Sequence, residues 1–426
     1  MSFGNIPKDF SCSSIAALRS TASKSTNGFF SANLRTVGSL LQYEHSPNVW
    51  VTAADTSHTA PATQLGNSYT LPAPIAALSL NLDGSVLAVS LASVASGSVL
   101  SILTNTAGYY SQQAIPLPPD AVGVTTGSVS LDVTGEILAF GSGTDNGGLG
   151  AVWLYADIAG VWTLQGTKLT GPGEIGLGNF GMKVSLSGDA TRLAVSSSGE
   201  GTSGAAYIFN VQTLANPVLI TKIVPSSLYP DAVFGYDVDF SADGSTLAVG
   251  ASSISSTNGS VFIFTKVQGQ GQWTQQAYLP KPPGFTTTYF AYNVSLSADG
   301  NILAASSSAN CVIYYRSGRN GTWSSGNLLP LPYDLVGTAP PNQYFAIISQ
   351  DGNSICTSNT DNNGNVGASW IFTQGPPETW TQNGPALIGS GAPITATVQG
   401  YSILSGNGKV VAVQDNSNQA LLWIFV

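Results

Sequence analysis

Charge is scarce in this chain. Of 426 residues, 13 are Lys or Arg and 22 are Asp or Glu, so charged side chains make up 8% against about 25% in an ordinary soluble domain. The net charge of −9, without a basic stripe, excludes nucleic acid as a partner. Histidine and cysteine are nearly missing: His45, His58, Cys12, Cys311 and Cys356 are the whole supply. That is too little for a disulfide framework or a zinc cluster. There is no Gly-x-Ser-x-Gly elbow to carry a nucleophile. No apolar run approaches the length of a membrane span, so direct insertion is not expected. The opening stretch "MSFGNIPKDFSCSSIAALRS" has no apolar core of the secretory kind, so a standard secretory signal is not expected either.

Apolar residues, at 43%, give ample core. With so few charges, the surface must be built from Ser, Thr, Asn, Gln and Gly, a composition typical of exported, fibrous or virion proteins. Residues 1–35 stand apart, with Lys8, Arg19, Lys24 and Arg35 against Asp9, a net of +3 that leaves −12 for the remainder. This weakly basic arm, residues 1–36, is a candidate tether to an acidic surface.

One pattern recurs seven times. It is an alternating run, an Asp-Gly-like turn, and a short apolar run. The copies are "SLNLDGSVLAVS", "SLDVTGEILAFG", "SLSGDATRLAVS", "DFSADGSTLAVG", "SLSADGNILAAS", "IISQDGNSICTS" and "ILSGNGKVVAVQ". Their anchors, Asp83, Thr134, Asp189, Asp243, Asp299, Asp351 and Asn407, are 51 to 56 residues apart. Each unit reads as four strands. An Asp-Gly turn closes the first hairpin, and the run after it is apolar enough to be buried on both faces. Trp162, Trp273, Trp323 and Trp380 open the fourth strands. Pro-rich connectors follow, where proline stops a strand. A lone sheet of this size cannot cover both faces, and radial stacking can. Residues 37–426 are therefore expected to form one all-β domain, a seven-bladed β-propeller of four-stranded antiparallel blades. The last copy ends after its third strand. The segment around Asn48–Ala53, with Trp50 in the tryptophan position, is expected to complete the last blade and close the ring. His45 is expected in an exposed turn, and Cys311 and Cys356 as buried thiols.

The pairs Phe180-Gly181 and Phe234-Gly235, the weakened Phe290-Ala291, and Gly250-Ala251 resemble the FG-GAP repeats of integrin α-chain-like propellers, bacterial and viral members especially. The resemblance covers nearly the whole chain from about residue 37. It implies a propeller that serves adhesion, ligand binding or assembly. Many members of that family place calcium in the first hairpin turn. Here Asp239 and Asp243 match that pattern, but Leu247 stands where the closing carboxylate belongs, so neither a metal nor another cofactor is expected.

Acids that could support glycoside hydrolysis are Glu174, Asp120, Asp231 and Asp334. The last three recur in equivalent connectors and read as repeated turn caps. Asp145 and Asp361 fall in Asn/Gly-rich loops. Connectors and second-to-third-strand loops gather on one face of a propeller. That face carries Tyr229, Phe285, Tyr289, Tyr333 and Tyr344, rings suited to a protein interface or the apolar side of a sugar. The expected function is a non-enzymatic structural or adhesion module on a virion or extracellular surface. Its partners would be other structural proteins of an assembly or a cell-surface receptor or glycan. A lectin using the aromatic loop face and a glycoside hydrolase-like enzyme are the alternatives.

Overall fold

A computed structural model describes residues 34–37, 40–46, 49–55, 63–92, 98–225, 233–252, 259–266, 271–283, 288–308, 310–330, 332, 344–359, 367–375, 378–390, 399–415 and 420–426. The chain folds as a seven-bladed β-propeller, each blade a four-stranded antiparallel sheet. The inner strands of blades 1 to 7 are Ile75–Leu80, Ser128–Leu131, Val184–Leu186, Val233–Phe240, Val294–Leu296, Tyr344–Ile348 and Gln399–Leu404.

The turn after each inner strand is self-contained. Two residues before the anchor stands Ser, Asn or Asp, whose side chain accepts the amide of the strand that follows; Ser241 Oγ takes Thr246 N at 3.0 Å and Ser187 Oγ takes Arg192 N at 3.0 Å. The same hydroxyls donate to the anchor, as Ser241 does to Asp243 at 2.7 Å and Ser405 to Asn407 at 2.8 Å. The anchor then accepts the amide two residues on, which is the local side-chain bonding that favours Asx-type turns. Blade 2 has Thr134 as anchor, and Asp132 takes over by accepting the amides of Thr134, Glu136 and Ile137.

The core is not inside the blades but between them. Seven buried apolar clusters fill the seven seams, including blade 7 against blade 1, where Ala412, Leu422 and Ile424 meet Leu87, Val89 and Leu103. In blades 2, 4, 5 and 6 a Trp at the start of the outer segment leans on the preceding blade: Trp380 Nε1 donates to Tyr315 Oη at 2.5 Å and Trp323 Nε1 to Gln276 Oε1 at 3.2 Å. The Phe-Gly pairs clamp the middle seams. Phe180, Phe234 and Phe290 are buried. Gly181 and Gly235 have φ of 87° and 77° and lie so close to the carbonyls of Ala151 and Ala205 that a methyl group would collide. Ala291 holds the same left-handed conformation at φ 64°.

The strand that joins the last blade is not the one expected. Val49–Asp55 pairs with Leu40–Ser46, which pairs with Leu34–Val37, in a separate three-stranded sheet. A hairpin between neighbouring strands has little loop-closure entropy to overcome. Tyr69–Thr70 pairs instead with Leu421–Phe425. Leu65 N donates to Ile424 O at 2.7 Å, and Thr63 and Val426 exchange amide bonds at 3.2 and 2.9 Å. His45 lies within the strand Leu40–Ser46 rather than in a turn, because the hairpin continues past it. Cys311 and Cys356 are buried free thiols.

Candidate functional site

The inner strands surround an axial cavity of about 240 Å³. Its floor is a girdle. Leu82 N donates to Val133 O (3.2 Å), Val133 N to Gly188 O (3.3 Å), Asp189 N to Ala242 O (3.2 Å) and Ala242 N to Ala298 O (2.9 Å). Ala298 N then donates to Gln350 O (2.7 Å), Gln350 N to Gly406 O (2.8 Å) and Asn407 N back to Leu82 O (2.8 Å), so the circuit closes through all seven blades. Leu82, Val133, Ala242 and Ala298 pack together at its centre.

Above the girdle, the side chain four residues before each anchor faces the axis. In blades 1 to 5 it is an acceptor for the next blade's backbone. Ser79 Oγ accepts Leu131 N at 3.0 Å, Ser130 Oγ accepts Leu186 N at 2.9 Å and Ser185 Oγ accepts Phe240 N at 3.0 Å. Asp239 Oδ2 accepts Leu296 N at 2.8 Å, and Ser295 Oγ accepts Ile348 N at 3.2 Å. In blades 6 and 7 the equivalent residues are Ile347 and Ile403, which also line the cavity. One layer up stand Ser128, Lys183, Asp237 and Asn293. Asp237 Oδ2 accepts Val294 N at 2.9 Å and Asn293 Nδ2 at 3.2 Å. In blades 6 and 7 that layer is aromatic. Phe345 meets Tyr401 edge-on with centroids 3.8 Å apart, and Tyr292 meets Phe345 at 4.8 Å.

Asp237 and Asp239, two residues apart on one strand, present both carboxyl groups to the same face. Burial raises the pKa of both. Asp239 is pushed up to about 7, first by desolvation and then by Asp237, against the pull of the Leu296 amide and Ser185. Asp237 is raised by desolvation, with Lys183 opposing. This pair is singular among the blades and lies on an inner strand rather than in a loop. The available signal is the aligned repeat itself, since Asp237 and Asp239 stand where the other copies carry Ser, Ala, Asn, Lys, Ile, Phe or Tyr.

The remaining expected residues scatter. Asp239 faces the axis, whereas Asp243 sits in its turn on Ser241, Ser245 and Arg319 at 2.5 to 2.7 Å, so the two do not converge on one ion. Asp120 accepts Trp153 Nε1 at 2.8 Å and Lys168 N at 2.9 Å, tying its connector to the third and fourth strands of blade 2. Asp145 is buried and paired with Lys168 at 2.7 Å. Glu174 accepts Ser197 Oγ at 3.1 Å and is raised mainly by burial. Its neighbour Glu200 is held by Tyr207, by the Ile175 amide and by Lys222. Tyr289 is 39% exposed, with φ of 57°. Tyr344 opens the inner strand of blade 6. Tyr229, Phe285, Tyr333, Asp231, Asp334 and Asp361 lie outside the described residues, as do Lys8, Arg19 and Lys24. Arg35 pairs with Gln42 in the separate sheet.

On the connector face of blades 2 and 3, Val122, Leu149, Ile175 and Leu177 are exposed, Ile175 at 66%. Their loops adjoin: Asn146 N donates to Val122 O at 2.7 Å, Phe180 N to Leu149 O at 3.1 Å and Gly201 N to Ile175 O at 3.1 Å. Composition did not reveal this patch, because each residue sits singly in a polar loop.

No family model matches the chain, and no curated protein matches it. Solved propellers do. A chain of Kuenenia stuttgartiensis hydrazine synthase is similar over 86% of this chain and 99% of its own, at 14% identity and a TM-score of 0.54. The β-propeller domain of Cps50 (Swd1) from Myceliophteria thermophila is similar over 85% and 99%, at 12% identity and a TM-score of 0.56. At such identities the likeness is one of fold, and one fold serves both catalysis and binding.

Proposed function

We propose that this chain is a non-enzymatic structural or adhesion module of the FG-GAP type, displayed on or built into a larger assembly such as a virion or surface spike. It holds a protein or receptor partner on its connector face, with residues 1–36 as the tether. The observation that carries the reading is the apolar cluster of Val122, Leu149, Ile175 and Leu177 on a rigid, charge-poor ring. Exposed apolar side chains on adjoining loops favour a protein contact. The loop acids Asp120, Asp145, Glu174 and Glu200 serve scaffold bonds rather than chemistry.

Size fractionation of the protein from its native source tests this. It should travel with a particle far larger than one chain, and the double variant Ile175→Glu, Leu177→Glu should leave that fraction while still folding. A wild-type protein that runs as a lone monomer, or a variant that stays in the particle, overturns the reading. Deleting residues 1–36 separates the tether's share from that of the loop face.

A further inference from the structure

The axial cavity is amphipathic in a definite sense. Around blades 1 to 5 it offers both kinds of hydrogen-bonding group. Ser79, Ser130 and Ser295 accept a neighbouring amide through Oγ, and their own O–H groups have no protein acceptor among the described residues. Lys183 adds a donor, and Asp237 and Asp239 add acceptor oxygens. Each carboxylate oxygen can take about two hydrogen bonds, and Asp239 accepts Ser185 Oγ on one oxygen at 3.0 Å and Leu296 N on the other at 2.8 Å. Opposite this arc, Ile347 and Ile403 form an apolar wall, continued upward by Phe345 and Tyr401 two residues earlier on the same strand faces.

A ligand for this cavity must both donate and accept on one side and be apolar on the other. Of the charges that line it, Lys183 counters Asp237, and burial holds the Asp239 carboxyl largely protonated below about pH 7, so little net charge is left to select a cation or an anion. The girdle below seals the floor. The volume of about 240 Å³ lies just under the usual range for ligand pockets and is many times what one water needs.

We propose that the axial cavity is a binding site for one small neutral polyhydroxylated molecule, a polyol or a monosaccharide. Its hydroxyls lie on the serine–aspartate arc and its C–H face lies on Ile347 and Ile403. This site is separate from the connector-face patch and stands whether or not that patch binds protein.

Calorimetric titration of the full chain with glycerol, erythritol and glucose tests it, with methylammonium and K⁺ as contrasting probes. Saturable one-to-one binding of at least one of the three neutral probes is expected. Ala77 lines the cavity and its methyl makes no hydrogen bond between blades, so Ala77→Phe fills the space while leaving the serine bonds intact, and binding should vanish. Ile403→Phe fills it from the opposite wall and serves if the first variant does not fold. Asp239→Asn should weaken binding about tenfold, the worth of one charge-assisted hydrogen bond. Binding of the cations alone, no saturable binding by any neutral probe because water alone fills the space, or undiminished binding in a folded cavity-filling variant overturns the proposal.

Discussion

The two arcs of the central channel solve the same joining problem differently. From blade 1 to blade 6, each seam carries an inner rung, a Ser or Asp side chain that accepts the next blade's amide. From blade 6 round to blade 1, the rung positions are Ile347 and Ile403, and the seam relies on apolar contact, with Leu404, Val411 and Trp423 buried beside Cys356 and Ile371. Both arcs share the backbone girdle. The polar rungs are therefore an addition to a seam that is already held by apolar filling. Polar groups buried at an axis are tolerated because each one meets a specific partner.

The largest effect should come from the filling that both arcs share. Phe234→Ala at a rung-bearing seam and Leu422→Ala at a rungless one should each cost about 2–5 kcal/mol, read by chemical denaturation. A large loss in one arc only would break the comparison. Removing a rung comes next. Ser185→Ala deprives Phe240 N of its acceptor and Asp239 of a donor, at about 1–3 kcal/mol. Ile347→Val, at the rungless counterpart, should cost only about 0.5–1.5 kcal/mol.

The pH dependence sharpens the polar arc further. The carboxyl of Asp239, pushed up to about 7, lies above its unfolded value near 4, so ionisation opposes folding. Its contribution declines as pH climbs from about 4 through about 7. Asp239→Asn removes that decline while keeping an acceptor for Leu296 N. The variant's Tm relative to wild type should therefore be higher at pH 8 than at pH 4, and an equal difference at both would refute the assignment.

Blade number, turn chemistry and seam tryptophans were legible because they repeat. Seven turns built on a Ser, Asn or Asp two residues before the anchor announce themselves, and the Phe-Gly pairs mark where one blade's backbone presses on the next. The closing strand was not legible. Trp50 imitates the tryptophan position, whereas the segment that joins blade 7 is the two-residue strand Tyr69–Thr70, too short to show a period. The rungs were hidden for another reason. A serine facing the axis and a serine facing solvent look alike in sequence, and only blade geometry puts Ser185 Oγ beside Phe240 N, 55 residues away. Asp237 and Asp239 were visible as the odd members of an aligned column, but their burial was not.

Amide hydrogen exchange at the girdle tests ring closure most directly. The donors are Leu82, Val133, Asp189, Ala242, Ala298, Gln350 and Asn407. A closed ring predicts that Asn407 exchanges as slowly as Ala242 and Ala298, all opening only with global unfolding. Fast exchange at Asn407 and Leu82, with slow exchange elsewhere, would show that blades 7 and 1 are not joined.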